Sequence, residues 1–280
     1  MSQTSVQIML AESHEAKKIL AELGALLGAA PQPRTSAPSE GKETMTIAAT
    51  KTVRELAVEV PNATRVFEKL GIDYCCGGER LLEEACASAN VAIDDVLRAL
   101  EQSTDASART ASRDWNTAPL GELVDHIVNK HHTYVKAEVP RLKALIAKVV
   151  GAHGTNHPEL EQVQVVFSEL ANELAVHLMK EEQILFPYVK QMASGTGCGP
   201  SCFGTVQNPI GVMTMEHDDA GEKLREMRRL TSDYSAPPDA CTSYVTLFRA
   251  LVEFEQDLHE HIHLENNILF PRAVRMESAR

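Results

Sequence analysis

The chain writes one eleven-residue phrase twice. Residues 177–187 read His-Leu-Met-Lys-Glu-Glu-Gln-Ile-Leu-Phe-Pro, and residues 261–271 read His-Ile-His-Leu-Glu-Asn-Asn-Ile-Leu-Phe-Pro. Both are His-x-x-x-Glu-x-x-Ile-Leu-Phe-Pro, and His177 to His261, Glu181 to Glu265 and Pro187 to Pro271 are all 84 residues apart. A histidine and a carboxylate four apart on a helix share one face, about 6 Å from each other, so the pair can reach one bound metal. Two copies on two helices predict a dinuclear site.

The surrounding pattern predicts four long helices from residue 117 onward. The first runs from Thr117 to about Val150, with Pro140 inside it as a kink point, and the second from Pro158 to about Lys190. A glycine-rich loop over 193–207 leads to the third, opened by Asn208 and Pro209 and ending near Ser232. The Pro237-Pro238-Asp239 turn starts the fourth, which reaches Pro271. On the second, Phe167, Leu170, Leu174, His177, Glu181 and Leu185 form one stripe. On the third it is Met213, His217, Ala220 and Leu224; on the fourth, Phe254, Leu258, His261, Glu265 and Ile268. The histidines and glutamates interrupt apolar faces turned toward a bundle interior. A charged carboxylate buried there is costly unless it is paired or metal-bound.

His217 is the only histidine of the third helix and precedes His261 by 44 residues. His132, on the first helix, precedes His177 by 45. The stripe there does not separate His132 from His131: Val128, Val135, Val139 and Leu142 favour one, and Val124, Ile127 and Tyr134 admit the other. His259 and His263 flank His261 by two residues, about 200° round the helix, which predicts surface or supporting positions. His153 and His157 fall in a loop. The expected constellation joins a lone histidine to each copy: His132 to His177 and Glu181, and His217 to His261 and Glu265. Two imidazoles per metal with shared carboxylates suit iron or manganese better than a closed structural zinc site. The plain alternative, core histidines hydrogen-bonded to carboxylates, would have to arise twice in register.

Upstream, residues 1–46 hold one expected helix (Ser13 as N-cap, then Ile19, Leu20, Leu23, Leu26 and Leu27) and a Pro-, Ser- and Thr-rich linker over 31–46. Residues 47–102 predict a small all-helical domain. Thr52-x-x-Glu55 is a capping box, Gly71 a helix end, and Asp73-Tyr74-Cys75-Cys76-Gly77-Gly78 a turn. Residues 103–116 form a polar linker, and 117–280 the four-helix bundle. The fold class is all-α. Aromatics are 5% of the chain and the hydrophobic fraction is 44%, which fits helices around a real core.

A net charge of −12 argues against nucleic acid as a partner. No stretch reaches the roughly 18 apolar residues of a membrane span. Charged residues from Glu12 to Lys18 stand where a signal peptide would be apolar. Six irregularly spaced cysteines do not make a disulfide framework. The expected location is the cytoplasm.

Residues 117–275 resemble a hemerythrin-type four-helix bundle, and 47–275 as a whole are similar to the RIC (repair of iron centres) di-iron proteins. The motifs that carry this are the doubled phrase, Met215-Glu216-His217-Asp218, and Asp73-Tyr74-Cys75-Cys76-Gly77-Gly78. The resemblance implies metal ligands at His132, His177, Glu181, His217, His261 and Glu265, choosing His132 over His131. It implies two non-haem iron ions with an oxo bridge and both glutamates bridging. The implied role is repair of iron–sulfur clusters after nitrosative or oxidative damage by giving iron to apo or damaged proteins, with Glu216 keeping the site labile. Nitric oxide binding or reduction at the centre and sensing of nitric oxide or dioxygen are the competing functions, so enzyme status stays open, as does a homodimer. The extension before residue 46 and the Cys198-Gly-Pro-Ser-Cys202 loop depart from the pattern.

Cys75 and Cys76 are too close for an unstrained disulfide. Beside two glycines they are expected to be exposed thiols that bind iron, take up nitric oxide or exchange electrons; the alternative is a tight turn with incidental thiols. Cys86 and Cys241 are expected to be structural or incidental.

Overall fold

The computed structural model describes residues 50–107, 113–195 and 203–279. The expected helix of 1–30, the linker over 31–46 and the Cys198/Cys202 pair lie outside the described residues. Every regular element among the described residues is helical, and the described residues form one compact unit.

Four short helices come first: α1 (Val53–Glu59), α2 (Ala63–Leu70), α3 (Leu82–Ala89) and α4 (Ile93–Ser107). The capping box opens α1. The Thr52 Oγ1 accepts from the Glu55 N–H at 3.2 Å, while Glu55 Oε2 accepts from the Thr52 N–H at 2.8 Å. Helix α2 ends at Gly71 with φ +67°, the left-handed conformation that glycine reaches without a Cβ penalty.

The bundle follows as four rods. The first is α5 (Leu120–Ile127) and α6 (Thr133–His153), joined by a π-helical turn, Val128–His132. The second is α7 (Glu159–Lys180), a π turn at Glu181–Leu185, and α8 (Phe186–Ala193). The third is α9 (Gln207–Leu230). The fourth is α10 (Thr242–His263), a π turn at Leu264–Leu269, and α11 (Phe270–Ser278). The first rod continues through Pro140 to His153. The π turns have local causes. Pro187 and Pro271 sit in the first turn of α8 and α11 and give no N–H to the ladder, so the turn before each is short of a hydrogen bond and widens. In the first rod the Thr133 hydroxyl donates to the Val128 carbonyl at 3.1 Å, inserting a side chain into the ladder.

Two apolar clusters fill the bundle. One end holds Leu123, Ile127, Phe186, Val189, Leu269 and Phe270. The other holds Leu142, Phe167, Leu170, Leu247 and Phe254, and it runs without a break into Phe67, Leu82 and Val96 of the small helices. A layer of histidines and glutamates lies between the clusters, at the level of the π turns.

The turn over 73–76 bridges the third and fourth rods. The Asn266 amide donates to the Cys75 carbonyl at 3.1 Å, the Asn267 amide to the Tyr74 carbonyl at 2.9 Å, and the Cys76 thiol to the His217 carbonyl at 3.4 Å. Two expectations are corrected here. His263 is buried, in contact with Asn267, and His259 is half-buried beside Glu68 at 2.9 Å. The Tyr74 ring meets both histidines edge-on. The surface alternative fails because the small helices, which cover that face, are remote in sequence. Cys75 is likewise buried rather than an exposed thiol, because its turn is pressed onto the bundle; Cys76 is partly exposed.

Candidate metal centre

All six residues named by the two phrases and the two lone histidines meet in the polar layer. His132, His177, Glu181, His217, His261 and Glu265 are each no more than 4% exposed. They form two groups, His132 with His261 and His177 with His217, and both glutamates belong to each group. Within a group the donor atoms lie within 4.8 Å of one another. The histidine pairing therefore crosses the two halves of the bundle instead of following them. Adjacency alone does not decide this, because the first rod packs on the second as well as on the fourth; the ring positions do, with centroids 4.9 Å apart for His132 and His261 and 4.8 Å apart for His177 and His217.

The glutamates tie the groups together. Glu181 Oε2 lies 3.4 Å from His132 Nε2, and its Oε1 lies 3.4 Å from His177 Nε2. Glu265 Oε1 lies 2.9 Å from His261 Nε2, and its Oε2 lies 3.1 Å from His217 Nε2. Each carboxylate thus places one oxygen toward each histidine pair. Both Glu181 oxygens, Glu265 Oε2 and His132 Nε2 are buried without a hydrogen bond. The Nε2 atoms of His177 and His217 face each other at 3.1 Å. Buried polar atoms without partners are costly, and a shared cation between these atoms removes the cost. Imidazole nitrogen with carboxylate oxygen is a donor set suited to iron. The residues fit the group.

Charge follows the same geometry. Burial and the neighbouring Glu265 push the Glu181 carboxyl up, but His177 and His132 outweigh them and hold it low. Burial opposes ionisation of Glu265 too, and His261 and His217 keep it well below the usual carboxylate range. Burial would lower His177, yet Glu181, Glu265 and Glu216 raise it to about 9. His132 is also raised against its burial, by Glu181, Glu265 and Glu182. His261 is lowered, burial prevailing over Glu265.

Three ring nitrogens on the far side of the histidines are held from outside. His132 Nδ1 meets Glu182 Oε1, His177 Nδ1 meets Glu216 Oε2, and His217 Nδ1 meets Asn266 Oδ1, each at 2.8 Å. Such partners fix ring orientation and tautomer. Glu216 also pairs with Lys180 and Glu182 with Lys136. Sequence reasoning singled out Glu216 but missed Glu182 and Asn266. The signal was present: they occupy the same position of the doubled phrase, directly after the glutamate. A regular helix would turn successive residues about 100° apart; the wider π turn lets both serve the layer. His131 is as buried as His132, stacks on His261 and hydrogen-bonds to Asp257 at 3.0 Å, with no place in either group.

A cavity of about 400 Å³ opens between the second and third rods and reaches His177, His217 and His261. Leu170, Leu174, Val176, Leu258 and Ile262 line it, with Lys180 and Glu216 also on its wall. On the other side of His217, Asp73, Cys75 and Cys76 form a third group whose donor atoms lie within 4.8 Å of one another. The adjoining Cys76 thiol and then burial push the Cys75 thiol well above its ordinary value, so Cys75 is held protonated.

Residues 123–273 match the hemerythrin HHE cation binding domain, and residues 49–104 match a domain of unknown function. The iron-sulfur cluster repair protein YtfE of Citrobacter koseri is 39% identical over 223 residues, which cover 80% of this chain and 96% of that protein. The protein of the same name from Escherichia coli O81 is 38% identical over 223 residues, with the same coverage. The chain belongs to the iron–sulfur cluster repair family. As a family member it carries a hemerythrin-type cation-binding bundle preceded by a small helical region, as the motifs imply. No helix among the described residues is long and apolar enough to cross a membrane.

Proposed function

We propose that this chain repairs damaged iron–sulfur clusters by holding two iron ions in the bundle and giving them to apo or damaged cluster proteins. One observation carries the reading: each buried carboxylate spans both histidine pairs, so the layer has two equivalent places and a bridge on either side. His132 and His261 would hold one iron and His177 and His217 the other, with Glu181 and Glu265 shared and an oxo bridge completing the pair. Iron is cargo here. The Asp73, Cys75 and Cys76 group, hydrogen-bonded to the His217 backbone, offers a second set of donors next to the layer. Cys75, Cys76 and Cys86 are free thiols, which suits work in the cytoplasm. Protein loaded with labelled ferrous iron and mixed with an apo iron–sulfur protein is expected to rebuild the cluster faster than the same amount of free ferrous iron. Equal rates would defeat the donor role.

The apolar cavity favours a second reading, nitric oxide binding or reduction. Its walls, apolar over Leu170, Leu174, Val176, Leu258 and Ile262, would admit a small uncharged gas to His177 and His217. Two ferrous ions, oxidised to ferric, would supply the two electrons that, with two protons from solvent, convert two nitric oxide molecules to nitrous oxide and water. Headspace analysis of the reduced, loaded protein after nitric oxide addition is expected to show nitrous oxide. Nitrosyl formation alone would reduce this reading to scavenging.

A further inference from the structure

The doubled phrase contains its own control. At its sixth position the first copy has Glu182, and this side chain accepts from the lone histidine His132 while its other contacts run to Lys136 at the surface. The second copy has Asn266, buried at 6% exposure. Asn266 accepts from His217 Nδ1 at 2.8 Å and donates to the Cys75 carbonyl at 3.1 Å. A carboxylate can do only the first of these; an amide does both. The second copy thus ties its lone histidine to the thiol-bearing turn, and the first copy ties its own to nothing comparable.

That turn is pressed against the third rod at Cys76. The Cys76 thiol donates to the His217 carbonyl, and a Cβ placed on Gly221, one helical turn along α9, would meet the Cys76 sulfur at 3.3 Å. Alkylating that sulfur removes the proton it donates to the His217 carbonyl, and on the side facing Gly221 there is no room for the added group, so the turn loses its hold on the third rod. Moving the turn withdraws the Cys75 carbonyl from Asn266, and Asn266 then loses the contact that fixes its orientation toward His217.

We infer that Asn266 is a positioning residue that couples the Cys75–Cys76 turn to His217, so that displacing the turn loosens the hold of the site on its metal. The inference rests on the repair reading only for the identity of the metal. It gives that reading a release control: a modified or occupied thiol pair opens the site from outside, without a ligand leaving the bundle.

The test uses the full chain, loaded with ferrous iron under anaerobic conditions. Iodoacetamide adds a carbamidomethyl group to the Cys76 sulfur, with iodide leaving and the thiol proton passing to buffer. Iron release to a ferrous chelator is then expected to rise about tenfold or more, the scale of losing an outer partner of a ligating histidine. Alkylated Cys76→Ser, which keeps the other five cysteines, is expected to release iron at its untreated rate. Asn266→Asp keeps the acceptor for His217 and removes the donor, so alkylation is expected to leave its release rate unchanged. Gly221→Ala, a change that favours helix, is expected to speed release without any reagent. In the metal-free chain, the His217 Nδ1–H resonance is expected to shift on alkylation of the wild type and to stay put in Asn266→Asp. A wild-type release rate indifferent to alkylation overturns the inference, as does an Asn266→Asp chain that responds like the wild type. A chain that binds no iron defeats the repair reading instead, and the metal-free resonance still decides the coupling.

Discussion

Replacing Glu265 with glutamine is expected to strip the bundle of its iron. The side chain is fully buried, with one oxygen 2.9 Å from His261 Nε2 and the other 3.1 Å from His217 Nε2. These histidines belong to different groups. Glutamine keeps the shape but offers one oxygen and one N–H2, which cannot ligate. One histidine pair therefore faces a donor where it had an acceptor, and the negative charge that balances the cations is gone. Losing an outer partner of a metal ligand already costs about 10–100-fold in affinity; losing a shared ligand should exceed the upper end of that range. Iron per chain after dialysis against a weak chelator measures it. Wild-type iron content in Glu265→Gln would remove this carboxylate from the ligand set.

The second large effect is on pH, and it has opposite signs for the empty and the loaded protein. Burial would depress His177, but Glu181, Glu265 and Glu216 raise it to about 9 against an ordinary 6.5. In the metal-free chain a raised folded-state value means that the stabilisation is fully present below about pH 6.5 and is lost as pH rises through about 9. Its size is about 3 kcal/mol, from the shift at 1.36 kcal/mol per unit. Metal binding needs the neutral ring, so the same proton must leave when a cation enters. Affinity should thus rise by about tenfold per pH unit between pH 7 and 9 from this group alone, with His132, also raised, adding in the same direction. Anaerobic competition titrations with manganous ion, which stays soluble across this range, and denaturant melts of the empty chain read the two curves. Affinity that stays flat from pH 7 to 9 would show that His177 does not carry a proton that the metal displaces.

Much of the site is legible in the sequence because it is built from local spacing. His177 with Glu181 and His261 with Glu265 are one-turn pairs on apolar stripes, and the structure brings all four into one layer. What escapes is whatever depends on non-helical winding or on remote segments. The first rod could not be phased at His131 and His132 because Val128–His132 is a π turn, so both rings are buried and a 3.6-residue period has no meaning across them. His263 reads as exterior on a helical wheel, yet Tyr74, nearly two hundred residues away, lies against it. Cys75 looks accessible between polar and glycine neighbours, and it is the contacts of its turn with Asn266, Asn267 and the His217 carbonyl that clamp it. The pairing of histidines across the halves depends on where the rings of neighbouring rods meet, which a repeat in the sequence does not state.

The donors come from every rod: His132 from the first, His177 and Glu181 from the second, His217 from the third, His261 and Glu265 from the fourth. A cation held this way is a clasp as well as a cargo, since whatever binds only the folded chain also stabilises it. On the repair reading, each delivery would remove a fastening between helices. If the chain donates iron as proposed, it would carry a record of its own use: the spent molecule would open more readily than the full one. Its lifetime among proteases is then governed by how soon it is refilled.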